Sequence, residues 1–157
     1  MYVVKKKEKL NIICKRFNIG LCYLFGSMKE TGRKLLDGSH VSLRDPESDI
    51  DMGMVFQDFP IRETRKVYGL LYEELSPLYY PYRLDLVLLQ ETNFIIQFEA
   101  IKGINLYTLD DGFKDSYEEM VMRCAADLRY FDKLYEQELL EAIEDGYFEF
   151  EYDANYR

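Results

Sequence analysis

The chain has little that thiolate, disulfide or imidazole chemistry could use. Its three cysteines, Cys14, Cys22 and Cys124, are odd in number, sit among apolar neighbours and show no Cys-x-x-Cys spacing. That removes zinc knuckles and dithiol redox motifs and leaves them as reduced core thiols. The single histidine, His40, falls in a turn-rich stretch and reads as an exposed loop residue. No apolar run approaches the roughly 20 residues that cross a bilayer. The start, Met1-Tyr2-Val3-Val4 then Lys5-Lys6-Lys7, carries charge after the apolar residues, the reverse of a secretion signal. A soluble, cytoplasmic protein is expected. Basic residues are also scarce: 20 Lys and Arg against 29 Asp and Glu give a net charge of -9. Phosphate backbones are held by basic surfaces that release counterions, so the charge argues against general nucleic-acid binding. The densest basic cluster, Lys5, Lys6, Lys7 and Lys9, reads as a solvated first helical turn.

What is present suits one domain. The chain has 157 residues, 48% hydrophobic and 15% aromatic, enough for a real core, with no repeat or linker. Leu10, Ile13, Cys14 and Phe17 make one stripe of a helix over 5–17, which ends at Asn18-Ile19-Gly20. Leu21 to Phe25 reads as a buried strand entering a turn at Gly26-Ser27, followed by a short helix from Met28 to about Leu36. Residues 37–46 are a loop, with a small hairpin as an option. Then come a strand from Ile50 to Phe56, a helix from Ile61 to Leu75 burying Val67, Leu70, Leu71 and Leu75, and a strand from Arg83 to Leu89. A helix over Thr92 to Lys102 and a short edge strand from Ile104 to Tyr107 follow. Ser116 and Glu119 have capping-box spacing, opening a long helix towards Gly146. The ending, Tyr147 to Arg157, reads as a frayed acidic tail. The fold class expected is α/β (α+β): a small mixed sheet with helices packed on it and a long C-terminal helix.

The sharpest chemical feature is Ser48-Asp49-Ile50-Asp51 at the start of an apolar strand. Strand alternation projects Asp49 and Asp51 from one face while Ile50, Met52, Met54 and Phe56 point the other way. Two adjacent carboxylates repel, and a hard divalent cation between them relieves the repulsion. Asp85 interrupts Leu84-Asp85-Leu86-Val87-Leu88-Leu89, where an ionised group is costly without a partner. If the two strands are neighbours, three carboxylates converge. Gly26-Ser27, between a strand and a helix, offers free backbone N–H groups and a helix dipole to phosphate. Lys29, Arg33, Lys34 and Arg44 are nearby candidates for neutralising it.

The order Leu24-Phe25-Gly26-Ser27, Ser48-Asp49-Ile50-Asp51, Leu84-Asp85-Leu86 resembles the DNA polymerase β-like nucleotidyltransferases, especially their minimal, antitoxin-type members, over about residues 19–90. The resemblance implies a nucleotidyltransferase fold, with a helical extension over about 113–146. It implies that Gly26 and Ser27, with Ser48, Lys29 and Arg33, hold ATP or another nucleoside triphosphate. Asp49, Asp51 and Asp85 would be catalytic and bind Mg2+ or Mn2+, two ions about 4 Å apart that stabilise the attacking and leaving oxygens. No histidine is needed. The implied activity is transfer of a nucleoside monophosphate, AMP foremost, to a hydroxyl of a small molecule or a protein such as a HEPN-type toxin. The chain departs from the family pattern in having Met28-Lys29-Glu30-Thr31-Gly32-Arg33 where a more basic segment is usual, and a longer spacer before Asp49. The alternative is a non-catalytic antitoxin-like module. Either way, the final helix is expected to offer an aromatic stripe to a partner or a second copy of the chain.

Overall fold

Ile19–Phe25 (β1) is buried along almost its whole length, which places this continuous apolar run in the middle of a sheet and not at its edge. The computed structural model describes residues 4–39, 41 and 48–146. Ahead of β1 lies a helix over Lys6–Arg16 (α1), and after it a helix over Lys29–Leu36 (α2). Ile50–Phe56 (β2) pairs antiparallel with β1 and parallel with Leu84–Leu88 (β3). Between β2 and β3 run a helix over Thr64–Leu75 (α3) and a 3-10 turn over Ser76–Tyr79. A helix over Phe94–Ile101 (α4), a strand over Ile104–Thr108 (β4) and a helix over Asp111–Glu144 (α5) complete the described order. The sheet runs β3-β2-β1-β4, so β4 is the expected edge strand.

The two faces of the sheet carry separate cores. On the first, Ile50, Met52, Met54 and Phe56 of β2 join Cys22 and Leu24, and are covered from α1 by Leu10 and Ile13, from α2 by Leu35 and Leu36, and from α3 by Leu71 and Leu75. On the second, Leu21, Tyr23 and Val55 meet Ala100 of α4 and Tyr117 and Val121 of α5. Burying each large aliphatic chain is worth about 1.5–3 kcal/mol. Polar bridges fix the second layer as well. Tyr23 donates to Glu118 at 2.8 Å, and the Tyr117 hydroxyl donates to the buried Gln97 at 2.7 Å.

Several expectations are corrected. α5 begins at Asp111, capped by the Asp110 carboxylate accepting from the Phe113 N–H at 2.8 Å, so the Ser116/Glu119 spacing lies inside the helix. α3 begins at Thr64 because Glu63 adopts a left-handed φ of 52°, and Leu70 faces solvent. α4 is likewise shorter than expected, capped by Asn93 accepting from Ile96. Cys14 and Cys22 are buried free thiols, as expected, and Cys124 is half-buried. No helix among the described residues is long and apolar enough to cross a membrane. His40, Arg44, most of the loop with its optional hairpin, and the ending from Tyr147 lie outside the described residues.

Candidate active site

The strand pairing brings the three sequence motifs to one end of the sheet. β1 runs antiparallel to β2, so its last residue, Phe25, is the register partner of Asp51 near the start of β2. β2 and β3 run parallel, so Asp51 in turn pairs with Asp85. α4 and α5 pack over β1 on that face, while Asp51 is half-buried and Asp85 exposed.

Gly26 is tied to the acids by space as well as sequence. Its φ is +77°, a conformation that side chains disfavour, and a Cβ there would lie 2.5 Å from the Asp51 Oδ2. The main chain of the turn is thus laid directly against the carboxylate. Ser27 follows in the exposed turn, and Ser48 is half-buried ahead of β2.

Asp51 has its pKa pushed up to about 6 by partial burial first, then by its hydrogen bond with Asp85 and the negative charges of Asp85 and Asp49. The Tyr68 hydroxyl is pushed up by burial and then by the Asp85 charge. Asp49 accepts a two-pronged bond from Arg83, Nε to Oδ1 at 3.0 Å and a terminal nitrogen to Oδ2 at 3.2 Å. Asp51 and Asp85 are register partners on adjacent strands and Asp85 raises the proton affinity of Asp51, with Asp49 close enough to act on Asp51 by charge yet held by a guanidinium. Among the described residues no three acidic, histidine or cysteine side chains stand gathered around one cation position. The donors are hard carboxylate oxygens whose mutual repulsion a divalent ion would relieve, and the residues fit Mg2+ or Mn2+ once Asp49 exchanges Arg83 for it.

Sequence reading missed Arg83, whose place beside Asp49 follows from the strand register. The parallel register pairs Ile50 with Leu84 and Asp51 with Asp85, so residues one step earlier, Asp49 and Arg83, must also be neighbours. Arg33 is drawn to Glu30, at 2.8 Å, and to Asp37, at 3.6 Å, and does not line the cleft beside Gly26. That cleft, about 400 Å³, is bordered by Phe25, Gly26 and Lys29 and, from another part of the chain, by Glu99, Lys102 and Gly103. Lys29 therefore borders the cleft beside Gly26, and so does Lys102, which no sequence motif announced.

A mixed four-stranded sheet with a glycine-serine turn after β1 and acids on β2 and β3 defines a nucleotidyltransferase fold. The chain belongs to the Polymerase beta nucleotidyltransferase family, whose model matches residues 8–112. Among solved structures, a chain of a mutant MntA-HpeT toxin–antitoxin is similar over 85% of this chain and 98% of its own, at 14% identity and a TM-score of 0.61. A toxin–antitoxin solved with AMP-PNP matches over the same shares at 15% identity and a TM-score of 0.60. A third, from tri-AMPylated Shewanella oneidensis HEPN toxin in complex with MNT antitoxin, covers 86% of this chain and 96% of its own, at 14% identity and a TM-score of 0.58. No curated protein matches the chain.

Proposed function

We propose that this chain is a metal-dependent nucleotidyltransferase that moves AMP from ATP to a hydroxyl of a protein partner of the HEPN toxin class. The observation that carries the reading is the pairing of Asp51 with Asp85 on adjacent strands, with the Asp51 carboxylate laid against the Gly26 turn. Two neighbours of the same fold add support, one solved with AMP-PNP and one bound to an AMPylated toxin.

In this reading the free N–H groups of the 26–28 turn and the Ser27 hydroxyl receive the phosphates, and Lys29 neutralises them. Asp49, Asp51 and Asp85 would hold Mg2+ or Mn2+, which when bound offsets charge on the phosphates and acidifies the acceptor hydroxyl. Asp85, the more exposed acid, takes the acceptor proton. The acceptor oxygen then bonds to the α-phosphorus as the bond to the β-phosphate's bridging oxygen breaks, and pyrophosphate leaves. The catalytic core is proposed as residues 19–90 of one domain, with the helical extension packed on it.

The test is mass spectrometry of candidate toxin partners incubated with the protein, ATP and Mg2+. Wild type should add AMP, and Asp51→Asn and Asp85→Asn should not. Adduct formation by both variants at the wild-type rate would sink the reading. A second reading, a non-catalytic module that binds its partner through α5, draws on the Arg83 grip on Asp49 and on the exposed Tyr130, Phe131, Tyr135 and Leu140 of that helix. It predicts a stable complex with no adduct. A homo-oligomer through the same helix would show as a mass that rises with concentration in light scattering.

A further inference from the structure

The segment after the glycine-serine turn is poorer in positive charge than its family resemblance leads one to expect, and Arg33 is engaged by Glu30 and Asp37. The triphosphate of the proposed reaction would meet few cations from that segment. The missing charge lies across the sheet. β4 pairs antiparallel with β1, Leu24 opposite Ile104, and Lys102, the C-cap of α4, stands two residues ahead of that pair. Gly103 makes the approach possible: a Cβ there would lie 2.1 Å from the Leu24 carbonyl oxygen, so the end of α4 is pressed onto the end of β1. Lys102 and Lys29 consequently border the same cleft as Gly26.

Lys102 is also restrained. Its ammonium sits 2.8 Å from the Glu99 carboxylate and 4.9 Å from the centre of the Phe98 ring, whose neighbourhood Arg129 shares at 4.7 Å. Glu99 borders the same cleft, so one carboxylate occupies the cation and places negative charge where phosphate would go. The pair is half-exposed and gains little from its own attraction. A polyphosphate, with several charges and many acceptor oxygens, outcompetes one carboxylate for the ammonium.

We propose that Lys102 is a polyphosphate-binding residue that grips the β- and γ-phosphates of the nucleotide, and that Glu99 is its internal competitor, displaced when nucleotide enters. This rests on the nucleotidyltransferase reading for the identity of the ligand, but the cleft itself takes any linear polyphosphate. Lys102 is a binding residue and takes no proton in the reaction.

The two substitutions have opposite signs, which a merely structural role does not produce. Sodium tripolyphosphate, without metal, is titrated calorimetrically into the full chain, with AMP as the control. Lys102→Met should weaken tripolyphosphate about tenfold. Glu99→Gln should tighten it about threefold, Lys102→Arg should stay near wild type, and AMP binding and the melting temperature should move in none of them. In the Lys102→Met background, Glu99→Gln should lose most of its gain, because the competitor then has nothing to release. Equal tripolyphosphate affinity in wild type and Lys102→Met, or an equal Glu99→Gln gain in both backgrounds, overturns the proposal. Tripolyphosphate binding that follows this pattern in a protein that never transfers AMP overturns the transfer reaction and leaves the Lys102 site standing.

Discussion

At the scale of single residues, the pKa of Asp51 makes a claim about pH. Its folded value of about 6 lies above the ordinary value of 3.8, so the native state holds this proton more tightly than the unfolded chain does. The stabilisation is complete below about pH 4 and is lost as pH rises through about 6. Metal-free wild type should therefore lose stability across that window relative to Asp51→Asn, in denaturant titrations at stepped pH. Parallel traces for the two proteins would contradict the cause assigned to the shift. Mg2+ at pH 7.5 should raise the melting temperature of wild type more than that of Asp51→Asn, since the ion binds only the folded site. Gly26→Ala introduces both a disfavoured φ and a Cβ against the Asp51 carboxylate. A loss of about 1–3 kcal/mol in chemical denaturation is expected, and part of it should return in Gly26→Ala with Asp51→Ala.

At the scale of elements, α4 and α5 are joined to each other by a buried polar contact. Gln97 is 3% exposed, accepts from Tyr117 and donates to the Thr92 carbonyl at 3.0 Å. Tyr117→Phe leaves the Gln97 Oε1 unpartnered and should cost about 1–3 kcal/mol in equilibrium unfolding. A cost near zero would mean that water replaces the hydroxyl. Much of this layout was legible in the chain. The uninterrupted apolar run of β1 announced a buried strand, and the alternation of β2 placed its two acids on one face. Helix starts were less legible, because capping competes locally: Asp110 caps α5 ahead of the Ser116 signal, Asn93 caps α4 inside the expected start at Thr92, and Glu63 breaks a helix that periodicity alone extends. In the candidate site, the juxtaposition of Gly26, Asp51 and Asp85 was legible from the motifs they stand in, and Lys29 only from its nearness to Gly26. Arg83 required the strand register, and Lys102 and Glu99 required the β1–β4 pairing, which no local pattern encodes.

At the scale of the whole molecule, stability is distributed unevenly along α5. This helix of 34 residues is roughly 51 Å long. Tyr117, Val121 and Ala125 are buried in its first half, and from Ala126 onward no described residue is buried. Helices without tertiary cover are marginal in water. Amide hydrogens over 130–144 should therefore exchange by local opening, orders of magnitude faster than those over 117–125, whose exchange should track global unfolding. Uniform protection along the helix in mass-spectrometric exchange would indicate that another surface covers its second half, and adding a binding partner should produce that pattern.

The contact between Gly26 and Asp51 also sets a direction for evolutionary decay. The carboxylate of Asp51 lies in the space a side chain at position 26 would need, so any replacement of the glycine must displace that carboxylate while the acid remains. Once Asp51 has been replaced by a smaller residue, the space opens and asparagine, the residue after glycine most at ease at positive φ, becomes admissible. Lineages of this family that abandon transfer should lose the acid first and the glycine second. Sequences keeping the acid without the glycine should be almost missing from their history.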